Sequence, residues 1–208
     1  MRLVLASNNA KKLAELRTLF GALPVELVPQ GSLGIAEAEE PHASFVENAL
    51  AKARHAARAA GGAAIADDSG LCVDALGGAP GVVSAHYAVV ELPAGDREQQ
   101  RAAQDAANNR RLLADLHGVA DRRAAFVSTL VALRHADDPQ PLIAFGRWQG
   151  TILEAPRGEG GFGYDPLMFI PVLGRSVAEL GVDEKNALSH RAIASREVLA
   201  LMRAHWLA

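Results

Sequence analysis

Residues 64–71 read AIADDSGL, an apolar run that ends in two adjacent carboxylates, a hydroxyl and a glycine. The apolar run predicts a buried strand, and successive side chains of a strand point to opposite faces of a sheet. We therefore expect one of Asp67 and Asp68 to face a cleft and the other to support the backbone or a helix. Ser69 and Gly70 are predicted to turn the chain at the strand's end, where a carboxylate is a suitable ligand for magnesium. A plain turn is the alternative interpretation, because turns use the same residue types.

Composition restricts the class of protein. The chain has 208 residues, half of them hydrophobic, and a formal net charge of −3. A weakly acidic chain is not expected to have the broad basic surface that nucleic-acid binding needs. Cys72 is the only cysteine, which excludes an intrachain disulfide. The sequence has no apolar run of membrane-spanning length and no signal-peptide core, so we expect a cytoplasmic protein without a membrane partner.

The first candidate site follows a predicted strand at residues 2–6. Residues 7–12 read SNNAKK, and apolar residues at helical spacing come next. A helix N-terminus offers unpaired N–H groups and the positive end of the helix dipole, which attract phosphate. Lys11 and Lys12 add charge there against the dipole, which favours an anion site over an ordinary capped helix. The segment lacks the glycines of a Walker loop.

Lysine is rare in this chain and concentrated in the candidate sites. Arginine is the usual cation, and the four lysines are Lys11, Lys12, Lys52 and Lys185. A compact, rotatable ammonium is not interchangeable with a planar guanidinium. This distribution favours a functional use of the lysines.

A capping box at residues 44–47, SFVE, predicts a long alanine-rich helix. Asn48 and Lys52 are four residues apart and therefore share one side of it, facing either a cleft or water. The preceding acidic loop contains Glu39 and Glu40. One interpretation is a solvated loop; the other is that one of these glutamates supplies a second metal carboxylate.

Residues 157–166 read RGEGGFGYDP and include the glycine spacing of the dinucleotide fingerprint. We reject that reading, because the fingerprint must open a helix and this segment runs into a proline. An aromatic ring in a glycine loop can stack on a base, and a carboxylate or backbone amide can read its edge. A structural loop with a buried aromatic residue is the alternative.

Other elements complete the predicted organisation. Residues 96–117 are predicted as an amphipathic helix with an aspartate cap, and residues 108–111 as part of its solvated face. Residues 124–133 and 141–149 are predicted as two strands of a hairpin with a polar turn. Ser189 is a natural cap for the last helix.

Six segments together resemble the inosine/xanthosine triphosphatase, or Ham1-like, family of nucleoside triphosphate pyrophosphatases. They are SNNAKK at 7–12, FVENALAKA at 45–53, ADDSGL at 66–71, LGGAPG at 76–81, GGFGYDP at 160–166 and EKNALSHR at 184–191. Each segment alone is weak, but six in the right order over nearly the whole chain are specific.

The resemblance implies an α/β fold, with an elongated mixed β-sheet flanked by helices and two lobes around a central substrate cleft. It implies one domain over residues 1–208 and a homodimer. It further implies Mg²⁺-dependent hydrolysis of the deaminated purine nucleotides ITP, dITP and XTP to the monophosphate and pyrophosphate.

The resemblance also implies site residues. Asp68 is the expected catalytic carboxylate, and Glu40 and Asp68 are the expected metal ligands. The phosphate-binding residues are expected to be Ser7, Asn8, Asn9, Ala10, Lys11 and Lys12. Other expected substrate contacts are Lys52, Ser69, Phe162, Gly163, Tyr164, Asp165, Lys185, His190 and Arg191.

Two positions depart from the commonest pattern of the family. Lys11 stands where many members have glycine, and His86 replaces a frequent arginine, so we assign no role to His86. Two other functions stay open at this stage: a pyrophosphatase for other modified nucleotides on a related scaffold, and a non-enzymatic nucleotide-binding module.

Overall fold

The computed structural model describes residues 1–21, 24–91 and 95–207. Within these residues, seven strands form one sheet with the order β2-β1-β3-β4-β5-β6-β7. The strands are β1 (Arg2–Leu5), β2 (Glu26–Pro29), β3 (Ala64–Val73), β4 (Arg123–Leu133), β5 (Leu142–Ile152), β6 (Met168–Ile170) and β7 (Arg175–Ser176). β1 runs parallel to β2 and β3, whereas β6 is antiparallel to β5 and β7. The predicted mixed α/β sheet is confirmed.

Five α-helices accompany the sheet in the described part of the chain. They are α1 (Ala10–Phe20), α2 (Phe45–Ala60), α3 (Arg97–Asp115), α4 (Val182–Leu188) and α5 (His190–His205). The side chains of Asn9, Ser44, Asp96 and Ser189 accept main-chain N–H bonds at the starts of four of them. These are the capping interactions that the sequence predicts. Residues 153–167 form no helix, in agreement with our rejection of the dinucleotide fingerprint.

Contacts divide the chain into two compact units, each with its own apolar core. The first unit comprises Met1–Ser69, Val127–Arg147 and Leu188–Ala208. Its buried residues include Leu3 and Leu5 of β1, and Val198 of α5. A second cluster in the same unit packs the alanines of α2 against β1, β3 and β4.

The second unit comprises Gly70–Phe126 and Trp148–Ala187. Leu112 of α3 and Leu71 of β3 are fully buried in its core, together with Leu167. No helix among the described residues is long and apolar enough to cross a membrane. The single-domain and cleft expectations stay predictions.

The predicted turn at Ser69 and Gly70 is wrong. β3 continues without interruption from Ala64 to Val73, so Asp68 lies within the strand. Gly70 serves close packing: a Cβ there would lie 2.5 Å from both the Gly81 carbonyl oxygen and the Ser84 hydroxyl. Local composition cannot separate this use of glycine from a turn, because the reason lies in the packing partner.

The predicted solvated face of α3 is wrong at two positions, because Asn109 is half-buried and donates to the Gly163 carbonyl oxygen and Asn108 is fully enclosed. Asn108 is buried, and its amide donates to the carbonyl oxygens of Ser84 and Ala85 while its own oxygen accepts from Ala88. Arg110 and Arg111 are exposed as predicted. A buried amide with its hydrogen bonds satisfied stabilises the segment that it holds.

Candidate active site

β3 directs its two adjacent carboxylates to different partners, as the alternation of a strand predicts. Asp67 accepts a hydrogen bond from Ser128 at 2.7 Å and lies 2.9 Å from the Lys12 ammonium. Asp68 instead accepts from the Lys52 ammonium at 2.8 Å. Both carboxylates are buried. The strand therefore links two separate charge clusters in the first unit.

The Asp68 cluster consists of two carboxylates around one ammonium. Lys52 Nζ is 2.8 Å from Asp68 Oδ1 and 3.1 Å from Glu40 Oε2. α2 delivers Lys52 from the same helix side as Asn48, whose amide holds the main chain of His42 in two hydrogen bonds. The acidic loop is thereby tied to α2. The predicted pairing of Asn48 and Lys52 on one helix side corresponds here to a buried role for both.

Asp68 has an unusual combination of partners. Its Oδ1 is bound by Lys52, but its buried Oδ2 has no hydrogen-bond partner among the residues that the structure describes. Burial raises the pKa of Asp68 to about 6, although Lys52 acts in the opposite direction. Burial alone would lower the pKa of Lys52, but Asp68 and Glu40 outweigh it and raise that pKa. The orphaned oxygen can accept a proton, a water or a cation.

The Asp67 cluster carries two cations. Arg191 donates from Nε to Asp67 at 3.3 Å and from Nη2 to Ser69 at 3.0 Å, and its Nη1 is bound to Glu15. Burial opposes ionisation of Asp67, yet Lys12 and Arg191 hold its pKa well below the usual value. Burial lowers the pKa of Lys12, which Asp67 partly offsets.

The start of α1 is capped by two polar side chains and carries two lysines. The Asn9 side chain accepts from the main-chain N–H groups of Lys11 and Lys12, and Ser7 accepts from that of Asn9. Lys11 is exposed, and the side chain of Lys12 is 18% exposed. Ala10 is exposed, and the Asn8 oxygen lies 2.6 Å from where a Cβ on Gly31 would be. This turn therefore presents Lys11 to solvent, whereas Lys12 is largely buried against Asp67.

The second unit contains a separate aromatic cluster. Lys185 Nζ is 4.3 Å from the centroid of the Phe162 ring and 2.7 Å from Asp165 Oδ2. The same Asp165 oxygen accepts the main-chain N–H of Phe162 at 2.8 Å. Asp165 and Lys185 are both buried, whereas Phe162 is half-buried. The carboxylate of Asp165 thus holds the main chain of Phe162, and the ring has a cation on its face.

Neighbouring residues anchor this loop. Asn109 donates to the Gly163 carbonyl oxygen at 2.9 Å, and Asp105 accepts the Gly163 N–H at 2.8 Å. Tyr164 is buried and donates its hydroxyl to the Ser84 carbonyl oxygen at 2.8 Å. Burial raises the pKa of Tyr164. Tyr164 therefore stabilises the loop.

The expected site residues are divided between the two units. The first unit holds residues 7–12, Glu40, Lys52, Asp68, Ser69, His190 and Arg191, and the second holds residues 162–165 and Lys185. His190 is buried at the first position of α5. His86 is exposed on a separate short helical segment.

Sequence reasoning missed the parts played by Glu15 and Ser128. Glu15 is three residues after Lys12, so both lie on one side of α1, and this spacing is a signal that was available. Ser128 lies in the uniformly buried strand β4. No local pattern distinguishes it from a core serine.

The donor set around Asp68 suits a hard divalent cation in part. Mg²⁺ takes one or two protein carboxylates and completes its shell with water and phosphate oxygens. Asp68 Oδ2 is an unsatisfied buried acceptor, and Glu40 is the second carboxylate on the same ammonium. Among the described residues, no group of three or more His, Cys, Asp or Glu side chains is placed to hold a metal ion. A cation bound here would therefore depend on ligands from water or substrate.

Comparison with known proteins gives one consistent result. The model of the Ham1 family matches residues 3–201. A protein of Methylibium petroleiphilum named dITP/XTP pyrophosphatase is 81% identical over 208 residues, which is all of both chains. A protein of the same name from Leptothrix cholodnii is 66% identical over 99% of both chains. Among solved structures, a HAM1 protein from Coxiella burnetii has a TM-score of 0.88 at 40% identity, covering 98% of this chain and 99% of that one.

Proposed function

Because this chain belongs to the Ham1 family, we propose that it hydrolyses the deaminated purine nucleoside triphosphates ITP, dITP and XTP to the monophosphate and pyrophosphate. The relatives that share its full length are named dITP/XTP pyrophosphatases. The single observation that carries the proposal is Asp68: a buried carboxylate of raised pKa, with one oxygen bound by Lys52 and the other without a hydrogen-bond partner in the described part of the chain.

Charge supports phosphate chemistry in the first unit. A triphosphate is strongly anionic, and phosphoryl transfer depends mainly on positioning and on stabilising that charge. Lys12 and Lys52 are ammonium groups held beside carboxylates rather than free in solvent. We assign Lys12 and the start of α1 to the phosphate chain.

The proposed step is attack of water on the α-phosphorus. The water oxygen forms a bond to phosphorus, the bond from phosphorus to the α–β bridging oxygen breaks, and pyrophosphate leaves with that oxygen. As the new bond forms, one proton of the water passes to Asp68 Oδ2, and the proton that stays on the new phosphate oxygen is released to solvent. Asp68 Oδ2 is the buried acceptor available to orient the water.

Glu40 and Asp68 are the residues that would hold Mg²⁺. When bound, the cation neutralises phosphate charge and polarises the reacting groups. Lys52 then keeps the two carboxylates close together, since its ammonium contacts both. The pKa of Asp68, raised by burial to about 6, leaves this carboxyl group ionised at neutral pH.

The family resemblance assigns recognition of the purine base to side chains that donate hydrogen bonds and to an aromatic ring. Inosine and xanthosine carry a carbonyl at position six of the purine, where adenosine carries an amine. Side chains that donate hydrogen bonds to this oxygen would have no acceptor when ATP is bound. Buried donors without an acceptor can reduce the reaction with the wrong substrate by a factor of about 10⁴ or more. His190, Arg191 and Lys185 carry donors of this kind. The Phe162 ring supplies a face for stacking.

We further propose a cytoplasmic enzyme that acts as a homodimer. Both parts of this proposal rest on the family resemblance. They need no contribution from nucleic acid or membrane, in keeping with the net charge of −3.

The test is release of pyrophosphate from ITP, dITP, XTP, GTP and ATP in parallel, with Mg²⁺ and with EDTA. We expect metal-dependent release from the first three and almost none from GTP and ATP; guanine also carries a carbonyl at position six, so rejection of GTP must come from position two. Asp68→Asn should abolish turnover, and Asp137→Asn is the matched control, because Asp137 is an exposed carboxylate of the same unit. Equal cleavage of all five nucleotides would contradict the account of base recognition.

Two further outcomes would redirect the assignment. Full activity of Asp68→Asn would show that the catalytic assignment is wrong. Binding of nucleotides without any cleavage would favour the non-enzymatic module, and cleavage of other modified nucleotides alone would favour a related pyrophosphatase.

A further inference from the structure

Asp67 is bound more completely than Asp68, its neighbour in the strand. Its Oδ1 accepts from Ser128 at 2.7 Å. Its Oδ2 lies within 3.3 Å of three donors, on Lys12, Ser69 and Arg191. Four donors therefore contact Asp67, whereas Asp68 Oδ2 has no hydrogen-bond partner among the described residues, which separates the role of Asp67 from that of Asp68.

The partners of Asp67 form a line of alternating charge. Lys12 contacts Asp67, Asp67 contacts Arg191, and Arg191 contacts Glu15. Two cations and two anions balance, so the network is formally neutral despite its burial. Removing one member of such a buried network leaves the remaining charge without compensation.

This line joins three elements of the first unit. Lys12 and Glu15 belong to α1, Asp67 to β3 and Arg191 to the first turn of α5. Lys12 lies at the positive end of the α1 dipole, which repels a cation. Its long side chain also has many rotamers to lose. An anchor is needed to hold the ammonium in one place, and Asp67 is the anchor that the structure supplies.

We propose that Asp67 is a positioning residue: it fixes the Lys12 ammonium for the phosphate groups of the substrate and locks the first turn of α5 through Arg191, without touching substrate itself. This inference rests on the proposed function, because it takes the α1 start as the phosphate site. Its consequences for Lys12 can nevertheless be measured without any nucleotide.

Two explanations of Asp67 make opposite predictions. If the carboxylate only balanced charge, its neutralisation would leave an excess of positive charge and tighten the binding of anions. If it positions Lys12, neutralisation frees the ammonium and weakens binding. Asp67→Asn tests the difference, since the amide keeps the shape of the carboxylate and removes its charge.

The control is Asp138→Asn in the same unit. Asp138 is buried and accepts from the Arg134 guanidinium and from two main-chain N–H groups. It is thus a carboxylate with cation and backbone partners, like Asp67 in burial but outside the candidate site. The effect of Asp138→Asn shows how much a general loss of stability contributes to the measured changes.

The first measurement is calorimetric binding of inorganic triphosphate in EDTA. We expect Asp67→Asn to raise the Kd by about tenfold or more, as expected for loss of a charged hydrogen-bonding partner, and Asp138→Asn to leave it unchanged. Unchanged or tighter binding by Asp67→Asn would overturn the inference. Failure of the wild-type protein to bind triphosphate would instead contradict the proposed phosphate site, and it is seen before any variant is compared.

The second measurement observes Lys12 directly. With only four lysines in the chain, protein labelled with ¹³C at lysine Cε gives a simple spectrum, in which Lys12→Arg identifies the Lys12 signal. We expect distinct Lys12 ε-proton signals in the wild type and in Asp138→Asn, and averaged signals in Asp67→Asn. An unaltered Lys12 signal in Asp67→Asn would refute positioning.

Ser128→Ala provides a milder variant if Asp67→Asn does not fold. It keeps the Asp67 charge and removes the hydroxyl that orients Oδ1. We expect a Kd for triphosphate raised by a few-fold and partial averaging of the Lys12 signals. Wild-type values for both would overturn the inference.

Discussion

Gly146 controls how closely α5 packs on the sheet. A Cβ at this position of β5 would lie 1.8 Å from the His190 carbonyl oxygen and 2.8 Å from the Ala194 nitrogen. Both obstacles are main-chain atoms, so rotation of a side chain cannot relieve the contact. Gly146→Ala must therefore push the start of α5 away from β5.

The structure allows the magnitude of this change to be estimated. Ordinary contact begins at 3.4 Å, so the alanine methyl and the His190 oxygen must separate by about 1.6 Å. Overpacking of this kind costs roughly 1–3 kcal/mol, and a backbone obstacle belongs at the upper end. Replacing glycine by alanine also stabilises the folded state by about 0.4–1 kcal/mol, because alanine restricts the unfolded chain. We expect a net loss of about 2 kcal/mol in the free energy of unfolding, or about 4–8 °C in Tm for a chain of this size.

The assay is urea unfolding of wild-type, Gly146→Ala and Gly62→Ala proteins. Gly62 is the control, because a Cβ there meets no atom within 4 Å and its substitution should be neutral or slightly stabilising. Gly146→Ala should also reduce pyrophosphate release from ITP, since Arg191 follows His190 in the displaced turn. Wild-type stability of Gly146→Ala would refute the packing argument.

Three further predictions concern single side chains. Lys52→Met should leave Asp68 as a buried carboxylate without its cation and lower the free energy of unfolding by about 3–5 kcal/mol. A wild-type free energy of unfolding for this variant, measured with urea in EDTA, would contradict this. Asp138 has a pKa held below its usual value by hydrogen bonds from Arg134, so its stabilisation is present above about pH 4 and is lost as pH falls further. The stability difference between wild type and Asp138→Asn should accordingly shrink in acid, and a constant difference from pH 7 to pH 3 would disprove the linkage. Phe162→Leu should raise KM for ITP about tenfold or more with a smaller change in kcat, because base–aromatic stacking contributes about 1–3 kcal/mol; steady-state kinetics with an unchanged KM would exclude the stacking role.

Local sequence patterns were sufficient for the parts of the fold that depend on neighbours along the chain. Capping residues located the starts of α1, α2, α3 and α5, because a cap binds N–H groups only two or three residues away. Pro166, which follows the glycines of the segment 157–166, was enough to reject a dinucleotide site. Strand alternation separated Asp67 from Asp68 for the same reason, since it needs only the local backbone.

Local patterns failed where the partner lies far away along the chain. Ser69 and Gly70 have turn chemistry but lie within a continuous strand, and Gly70 is required by the approach of residues 81–84. Asn108 resembles a surface residue of α3 but is buried by hydrogen bonds to residues 20 to 24 positions earlier. Neither partner is visible in a window of a few residues.

The sequence by itself determined the family, the helix starts and the opposite orientation of the two adjacent carboxylates. The tertiary structure alone decided which partners each carboxylate has. Asp68 contacts Lys52 and has one buried oxygen without a hydrogen-bond partner among the described residues, whereas Asp67 is bound by Lys12, Ser69, Ser128 and Arg191. The physical reason is that a charge acts through space. Its partners are set by the packing of α1, α2 and α5 on the sheet, and sequence separations as large as the 124 residues between Asp67 and Arg191 carry no local signal.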